Sequence, residues 1–336
     1  MNAWWVDAPG PMRTHPLRQG EREDPEPGRG QIRVRVLTCG VCRTDLHLAE
    51  GDLSPRGPLV IPGHEVVGQV DAVGDGVIGF RVGDLAGIAW LRHTCGRCAF
   101  CRRGDENLCE HPKFTGWDDD GGYAEYAVID EQFAYHLASD SDPLTTAPML
   151  CAGIIGYRAY RLSQPRPSSA IGLYGFGASA HLTAQLALHQ GHRVHVLTRS
   201  PDAQRLALEL GVDSAAGAAD PPPEPLDAAI LFAPAGELVP AALSALAPGG
   251  TLAIAGIHLS DIPALNYQDH LFRERVVRSV TANTRRDGEE FLALAAALQL
   301  RPTVTTYPFA QAEQALSDLA DDRVNGVAVL RVAADA

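Results

Sequence analysis

The turn "YGFGASAH" constrains the fold of this chain more than any other stretch. It follows the apolar run "AIGLY", which predicts a buried strand, and it leads into a predicted helix from about 178 to 190 that ends at Gly191. Gly175, Gly177 and Ala180 form the pattern G-x-G-x-x-A. Between a strand and a helix, this pattern favours a dinucleotide site, because the glycines let helix N–H groups approach a pyrophosphate. An ordinary strand-to-helix turn is the alternative.

Strand-like and helix-like stretches alternate beyond this turn, with strands predicted at "RVHVL", "AAILF", "TLAIAG" and "RSVTA". Such alternation predicts an α/β domain with a parallel, doubly wound sheet. Residues 1–153 contain short β-like runs, such as "QIRVRVL" at 31–37, with many glycines and prolines, and the last part of the chain returns to that texture. We therefore predict a dinucleotide-binding domain at 154–287 and a β-rich domain formed by 1–153 and 288–336.

The net charge and the length of the apolar runs limit the classes of partner that this chain is expected to bind. The 336 residues carry a net charge of −13, which argues against nucleic acid or an anionic membrane surface as the main partner. No apolar run reaches the ~20 residues that span a bilayer, and no basic region followed by an apolar core is visible at the start. We expect a cytoplasmic protein, in which structural disulfides are rare.

Four of the seven cysteines lie together in "CGRCAFCRRGDENLC". Four thiolates at this spacing can close a tetrahedral shell around zinc and leave no open position. We therefore predict a structural zinc site formed by Cys95, Cys98, Cys101 and Cys109. A loop of free cysteines and a redox cluster are the alternatives, although iron–sulfur clusters use other spacings.

The stretch "TCGVCRTDLH" presents Cys39 and Cys42 as C-x-x-C, which suits a redox dithiol, half of a structural zinc site or a disulfide. Cys151 is the remaining cysteine, and His64 and Glu65 lie in a Gly-rich turn before a predicted strand. A catalytic zinc takes about three protein ligands and keeps one open position. One histidine and two of these cysteines satisfy that number, but spacing alone does not select them.

The end of the second predicted strand bears on cofactor choice. An NAD site usually has a carboxylate there, about 20 residues beyond the glycine turn, to bind the ribose 2′-hydroxyl. This chain has Thr198 followed by Arg199, and a guanidinium is well matched to a 2′-phosphate. We expect NADP(H) to be favoured and NAD(H) to be possible. Alternatively, Arg199 is a solvated surface charge and either cofactor is accepted.

The motifs "GVCRTDLH", "PGHE", "LCAGI" and G-x-G-x-x-A, together with the four-cysteine spacing, extend over nearly the whole chain. With them the chain resembles a zinc-dependent alcohol dehydrogenase of the medium-chain dehydrogenase/reductase superfamily. It is closer to the yeast-type and cinnamyl-alcohol-dehydrogenase-like branches than to the liver type. The resemblance implies a GroES-like catalytic domain around an inserted Rossmann domain.

The resemblance also implies the metal ligands. Cys42, His64 and Cys151 match the three ligands of the family's catalytic zinc, and the fourth position is left for water or the substrate oxygen. With the four-cysteine site this implies two zinc ions per chain. Cys39 has no family role and is expected to be a small core residue.

Five further residues match family positions. Thr44 and His47 correspond to the proton exit from the substrate oxygen, and Arg43 to a residue that meets the cofactor pyrophosphate. Glu65 corresponds to a carboxylate that approaches the metal when ligands exchange. Asp45 corresponds to the group that orients the zinc histidine.

The implied reaction interconverts an alcohol and its aldehyde or ketone by hydride transfer. By alignment, Leu53, Trp90 and Trp117 line the substrate channel, which suggests an apolar primary alcohol, aliphatic or aromatic. The alternative is that one or both tryptophans are simply core residues. Relatives occur as homodimers and homotetramers.

Two other functions remain open at this stage. Some superfamily members reduce C=C or C=N bonds and have lost the catalytic zinc or the proton exit. A non-catalytic zinc- and nucleotide-binding redox sensor would use Cys39 and Cys42 as a dithiol.

Overall fold

The computed structural model describes residues 1–257 and 259–333. Its strands are β1 (Asn2–Val6), β2 (Leu17–Glu21), β3 (Gln31–Val41), β4 (Val66–Val73), β5 (Leu85–Ile88), β6 (Leu91–His93), β7 (Lys113–Phe114), β8 (Tyr126–Asp130), β9 (Ala134–His136), β10 (Ala170–Tyr174), β11 (Arg193–Leu197), β12 (Ser214–Ala216), β13 (Leu226–Leu231), β14 (Leu246–Ile254), β15 (Val276–Ser279), β16 (Val304–Pro308) and β17 (Val327–Arg331). Its α-helices are α1 (Arg43–Glu50), α2 (Ala99–Arg102), α3 (Pro143–Thr146), α4 (Ala152–Ser163), α5 (Ala178–His189), α6 (Pro201–Glu209), α7 (Val239–Ala245), α8 (Tyr267–His270), α9 (Arg285–Ala297) and α10 (Ala312–Ala320). Among these described helices, none combines the length and apolar character needed to cross a membrane.

The chain forms two compact units. The first contains Met1–Cys151, Ala282–Glu289 and the described residues from Pro302 onward; the second contains Ala152–Thr281 and Glu290–Arg301. The chain therefore crosses between the units four times, whereas the predicted domains require two crossings. The predicted assignment of 288–336 to the β-rich domain stays a prediction.

The second unit is built on a six-stranded sheet in the order β12-β11-β10-β13-β14-β15, and its neighbouring strands are parallel. This order is that of a doubly wound dinucleotide-binding sheet, in which strands are added first on one side of the first strand, β10, and then on the other. Strand β10 is buried along its whole length, as expected for a strand covered on both faces. The predicted parallel, doubly wound sheet is confirmed.

The first unit contains a seven-stranded sheet in the order β16-β17-β3-β4-β5-β9, with β8 also paired to β3. Strand β3 is central: it is antiparallel to β4, β8 and β17. Its first residues alternate between half-buried and buried, as a strand with one core face requires. The site residues lie in the loops and helix ends around this sheet.

Two strand predictions needed correction. Strand β3, predicted to end near Leu37, continues to Val41 because β17 pairs with it from Thr38 onward. The last strand predicted for the dinucleotide-binding domain, at 278–282, is β15, which lies at Val276–Ser279 because it pairs in register with the end of β14. Sequence periodicity did not show either boundary, since both depend on partner strands.

Candidate metal centre and dinucleotide turn

The C-x-x-C pair is divided between two elements. Cys39 lies in β3 with no exposed surface, and burial raises the pKa of its thiol well above the ordinary value. Cys42 immediately precedes α1 and is half-buried. Because disulfide exchange requires an accessible thiolate, the geometry disfavours a dithiol and fits the expected packing role of Cys39.

Side chains from three distant parts of the chain converge around Cys42. One ligand atom each from Cys42, His64, Glu65 and Cys151 lies within 4.8 Å of all the others. The Sγ atoms of Cys42 and Cys151 are 3.9 Å apart. Two thiolates bound to one tetrahedral zinc lie roughly 3.8 Å apart, since each Zn–S bond is about 2.3 Å.

The polar atoms of this cluster fit a metal ion. His64 Nε2 and Glu65 Oε2 are buried without a hydrogen-bond partner, and buried polar atoms rarely lack one. A hydrogen bond from Cys151, followed by the influence of His64, lowers the pKa of Cys42 well below its ordinary value. A thiolate, a second thiol and a free imidazole nitrogen form a donor set that suits zinc.

Asp45 fixes the imidazole. Its Oδ1 accepts hydrogen bonds from the backbone N–H of Gly63 at 3.0 Å and from His64 Nδ1 at 3.2 Å, and its Oδ2 accepts from the N–H of Cys42 at 2.9 Å. Since Nδ1 donates to a carboxylate, Nε2 is left with its lone pair directed into the cluster. One carboxylate thus orders two of the candidate ligands.

Glu65 is the fourth member of the cluster and is almost fully buried. Burial, and then the neighbouring Cys42, raise the pKa of its carboxyl group well above the ordinary value. A Cβ atom at Gly40 would lie only 1.8 Å from Glu65 Oε2, so the glycine leaves room for this side chain. Glu65 therefore occupies a space that the surrounding backbone keeps open.

Besides Asp45, helix α1 carries three more predicted residues that follow Cys42. Thr44 Oγ1 lies 3.7 Å from Cys42 Sγ, and His47 lies one turn further along the helix. His47 Nδ1 contacts Asp52 Oδ2 at 3.0 Å. Arg43 forms an ion pair with Asp322, and about half of its side-chain surface remains exposed.

The other four cysteines form a second cluster, in which the ligand atoms of Cys95, Cys98, Cys101 and Cys109 all lie within 4.8 Å of one another. Backbone N–H groups also point at these sulfur atoms: Cys95 N lies 3.2 Å from Cys109 Sγ, and Cys98 N lies 3.3 Å from Cys95 Sγ. A hydrogen bond from the backbone of Cys101 lowers the pKa of the Cys98 thiol to about 6. Anionic sulfur is what zinc binds, so this donor set also fits the ion.

The glycine turn has the geometry that its pattern predicts. Gly175 has a φ of +86°, and a Cβ there would lie 2.9 Å from the backbone nitrogen of Ala233. Gly177 immediately precedes α5, and a Cβ there would meet nothing within 4 Å. Ala180 is buried in the first turn of α5. The N–H groups of this helix end therefore face open space that can hold an anion.

The end of β11 places Thr198 and Arg199 after the strand. The backbone N–H of Thr198 bonds to Ala216 O at 2.9 Å, and its carbonyl accepts a bond from Gln204 Nε2 at 2.7 Å. Arg199 is exposed. The structure thus fixes the backbone at the position where dinucleotide folds select the ribose.

Known families match both parts of the chain. Residues 28–139 match the alcohol dehydrogenase GroES-like domain, and residues 180–297 match the zinc-binding dehydrogenase domain. A probable alcohol dehydrogenase, AdhA, of Mycobacterium tuberculosis (strain CDC 1551 / Oshkosh) is 56% identical over 99% of this chain and 97% of its own length. The chain belongs to the zinc-dependent alcohol dehydrogenases. It is an oxidoreductase of the medium-chain dehydrogenase/reductase superfamily, as its motifs predicted.

Two more comparisons agree with this assignment. An alcohol dehydrogenase of Geobacillus stearothermophilus is 35% identical over 94% of this chain and 95% of its own. The structure of CAD from Helicobacter pylori, complexed with NADP(H), has a TM-score of 0.89, with 23% identity over 98% of this chain and 97% of that one. The second comparison supports the fold of this alcohol dehydrogenase.

The aromatic residues predicted for the substrate channel of this dehydrogenase form a stack next to the metal cluster. The Trp90 ring meets the His64 ring edge-on at 4.8 Å and stacks on Trp117 at 5.9 Å. Phe114, which the sequence analysis did not single out, stacks on both tryptophans. Leu53 lies in the loop after α1 and is half-buried. Trp90 therefore connects the aromatic stack to a candidate ligand.

Trp117 also holds this loop. Its Nε1 donates to Ser54 O at 2.8 Å, and the Arg56 guanidinium lies 3.7 Å from its ring centroid while bonding to Asp118. These contacts give Trp117 a structural role besides any role in the channel. Arg56, Asp52 and Phe114 were missed from the sequence, because their neighbours become apparent only when the loop is folded.

Proposed function

We propose that this alcohol dehydrogenase binds its catalytic zinc through Cys42, His64 and Cys151. The observation that carries the assignment is the buried, unpartnered His64 Nε2, which is directed at two thiols 3.9 Å apart. Glu65 is the fourth polar group of the cluster and is available when a ligand exchanges. The second zinc is held by the four-cysteine cluster, whose sulfur atoms leave no open position.

Each residue around the proposed catalytic zinc has its own role in the reaction. Bound zinc supplies a Lewis acid that polarises the substrate oxygen and lowers the pKa of an alcohol. Asp45 keeps the His64 ring oriented, and the Thr44 hydroxyl lies beside Cys42, where it can take a proton from the substrate oxygen. His47 lies at i+3 from Thr44 on α1, and an imidazole can both accept and donate a proton, so it can pass the proton toward water.

We propose NADP(H) as the favoured cofactor and NAD(H) as a possible one. The glycine turn before α5 takes the pyrophosphate. Arg43, which pairs with Asp322 and is about half exposed, is proposed as a cofactor residue on the family resemblance alone. Thr198 presents no carboxylate that would repel a 2′-phosphate, and Arg199 supplies positive charge. These two features support the preference.

The substrate is proposed to be an apolar primary alcohol or its aldehyde, aliphatic or aromatic, or a related ketone. Trp90 supports this class because its ring adjoins His64. Trp117 adds to this apolar surface by stacking on Trp90, and Leu53 is a half-buried residue of the loop after α1. Trp117 contributes an edge more than a face, since Arg56 covers one side of its ring.

We also propose that the enzyme works as a homodimer or homotetramer in the cytoplasm. Strand β15 forms the edge of the parallel sheet and is exposed along its length. Val276, Val277, Phe272 and Tyr267 are exposed apolar residues on or just before that strand. An exposed apolar edge strand can pair with a second copy.

The decisive experiment combines metal analysis with kinetics. Purified enzyme should contain two zinc ions per chain and oxidise primary alcohols, with initial rates compared for NADP(H) and NAD(H). Size-exclusion chromatography with light scattering measures the assembly in the same preparation. A chain with one zinc and no alcohol or aldehyde turnover would contradict the proposal.

A further inference from the structure

The four-cysteine loop contains a carboxylate, that of Glu106, which binds a residue far outside the loop. Glu106 lies between Cys101 and Cys109, and its side chain is 11% exposed. It binds Arg285, 179 residues further along the chain, through the backbone N–H at 2.8 Å, through Nε at 3.1 Å to each carboxylate oxygen, and through Nη2 at 2.7 Å. A two-pronged, charge-assisted contact of this kind is among the strongest polar contacts in proteins.

Arg285 is the first residue of helix α9. The first N–H groups of a helix have no partner within it, and a negative charge there is stabilising. The Thr284 hydroxyl and the Asp287 carboxylate bond to each other and to nearby backbone N–H groups at this end. Glu106 therefore supplies an additional cap for α9 from outside the helix.

The first turn of α9 also rests on the β-rich sheet of its own unit. The Arg285 guanidinium lies 4.6 Å from the Phe133 ring centroid and donates to Gln132 O at 3.3 Å. A Cβ at Gly288 would lie 2.4 Å from the Tyr135 ring, so the helix backbone approaches that ring closely. Of these contacts, only the one to Glu106 comes from the four-cysteine loop.

We propose that Glu106 couples zinc occupancy of the four-cysteine loop to the seating of the first turn of α9. The inference rests on the proposed function in one respect, that this loop holds zinc. The loop between Cys101 and Cys109 is short, and zinc bound at both ends fixes the position of the Glu106 carboxylate. Loss of zinc removes that constraint, and the cap on α9 is lost with it.

The proposed coupling acts on a helix whose residues belong to both units. Helix α9 begins in the first unit, and its residues from Glu290 onward belong to the second. Glu106 is therefore a positioning residue for a segment that crosses between the units. By linkage, whatever α9 gains from zinc, the zinc site gains equally from a seated α9.

Hydrogen exchange followed by mass spectrometry tests both directions on the full-length, zinc-loaded enzyme. Glu106→Gln should leave zinc content unchanged and raise exchange in the first turn of α9 about tenfold, a typical size for coupled sites. Arg285→Met should raise exchange in residues 95–109 and speed zinc release to a chelator by a similar factor. Asp105→Asn, which breaks an exposed pair with Arg103 in the same loop, is the matched control and should change neither.

The outcomes separate the two ideas. If Arg285→Met releases zinc no faster than Asp105→Asn, or Glu106→Gln leaves α9 protected, the coupling is overturned while the zinc assignment survives. If metal analysis finds no zinc in the four-cysteine loop, both the coupling and that part of the proposed function fail. Because the variants are compared with zinc bound, unfolding of a metal-free chain does not affect the result.

Discussion

At the residue scale, the candidate catalytic site depends on three side chains that bring together distant segments. Cys42 lies at the start of a helix, His64 in a glycine turn and Cys151 between a 3₁₀ turn and α4. Cys42 is half-buried, and His64 and Cys151 are buried. A charged group in such a place is unstable without a partner. The catalytic zinc proposed above would be a partner for all three.

Replacing a ligand tests this assignment directly. Cys42→Ala, His64→Ala or Cys151→Ala should abolish turnover and reduce the zinc content to about one per chain, because three protein ligands hold a catalytic zinc. Cys39→Ser is the control: it should keep both zinc ions and cost only packing stability. A ligand variant with two zinc ions and a near-wild-type rate would show that the assignment is wrong.

Asp45 offers a subtler test. Both of its carboxylate oxygens accept N–H donors, from Gly63 and His64 on one side and Cys42 on the other. Asp45→Asn keeps the shape but turns an NH₂ group toward one set of donors. Turnover and zinc affinity should fall about 10- to 100-fold, as for other groups that orient metal ligands. Unchanged kcat/KM and zinc affinity would remove the positioning role.

At the element scale, the end of β11 and the start of α5 decide how a dinucleotide is held. The parallel sheet brings the glycine turn and the Thr198–Arg199 segment to the same edge, because both follow the carboxyl ends of neighbouring strands. The glycine turn supplies N–H groups for any dinucleotide. Discrimination between NAD and NADP is left to the residues after β11.

Exchanging those residues should invert the cofactor preference. A charge-assisted contact to phosphate is worth roughly 1.5–3 kcal/mol, or about ten- to a hundred-fold in affinity. We expect kcat/KM to favour NADPH over NADH by about that factor in the wild type, and Thr198→Asp with Arg199→Ala to reverse the order. Arg205→Ala, an exposed arginine on α6, should leave the preference unchanged. A wild-type enzyme that prefers NADH contradicts the assignment.

At the scale of the whole molecule, stability draws on contacts far from the catalytic site. The four-cysteine loop has little apolar core of its own: Cys98 and Cys109 are buried, but α2 contains no buried residue. The binding energy of the proposed structural zinc would therefore contribute to folding. The second unit is stabilised by ion pairs of Glu224, in the loop before β13, with Arg193 and His195 of β11.

Removing one cysteine of the loop measures the first contribution. Cys98→Ala should lose one zinc and lower the melting temperature, and a chelator should destabilise the wild type more than the variant. Thermal melting with and without chelator provides the measurement. An unchanged melt in Cys98→Ala would contradict a structural zinc.

The contribution of the Glu224 ion pairs can be measured through the pH dependence of stability. Its hydrogen bonds from Arg193, together with His195, lower the pKa of its carboxyl group from 4.5 to about 2. A lowered pKa stabilises the folded state at pH values above about 4.5, and the effect is lost as the pH falls toward 2. Because Glu224 is about one-third exposed, solvent screening reduces the contribution to about 1 kcal/mol.

Glu224→Gln should therefore lower the free energy of unfolding by about that amount at pH 7, and the difference should vanish near pH 2–3. Denaturant unfolding at several pH values makes the comparison. Glu209→Gln, at an exposed position on α6, is the control and should show no such trend. A difference that persists unchanged at pH 2–3 would contradict the ion-pair explanation.

The sequence by itself determined the features that depend on neighbours in the chain. The four-cysteine spacing, the glycine turn and the strand–helix alternation follow from patterns a few residues long, and the folded chain shows each of them. The family also followed from such patterns, and the comparisons confirm it.

The tertiary structure decided what depends on distant residues. The C-x-x-C motif alone does not distinguish Cys39 from Cys42; β17 does, because its pairing extends β3 through Cys39 and leaves Cys42 at the helix start. The contact between Glu106 and Arg285 joins positions 179 residues apart, and no pattern in the sequence links the two. Local features depend on periodicity and spacing, which the sequence shows directly. Long-range contacts form only once sheet pairing has brought the segments together.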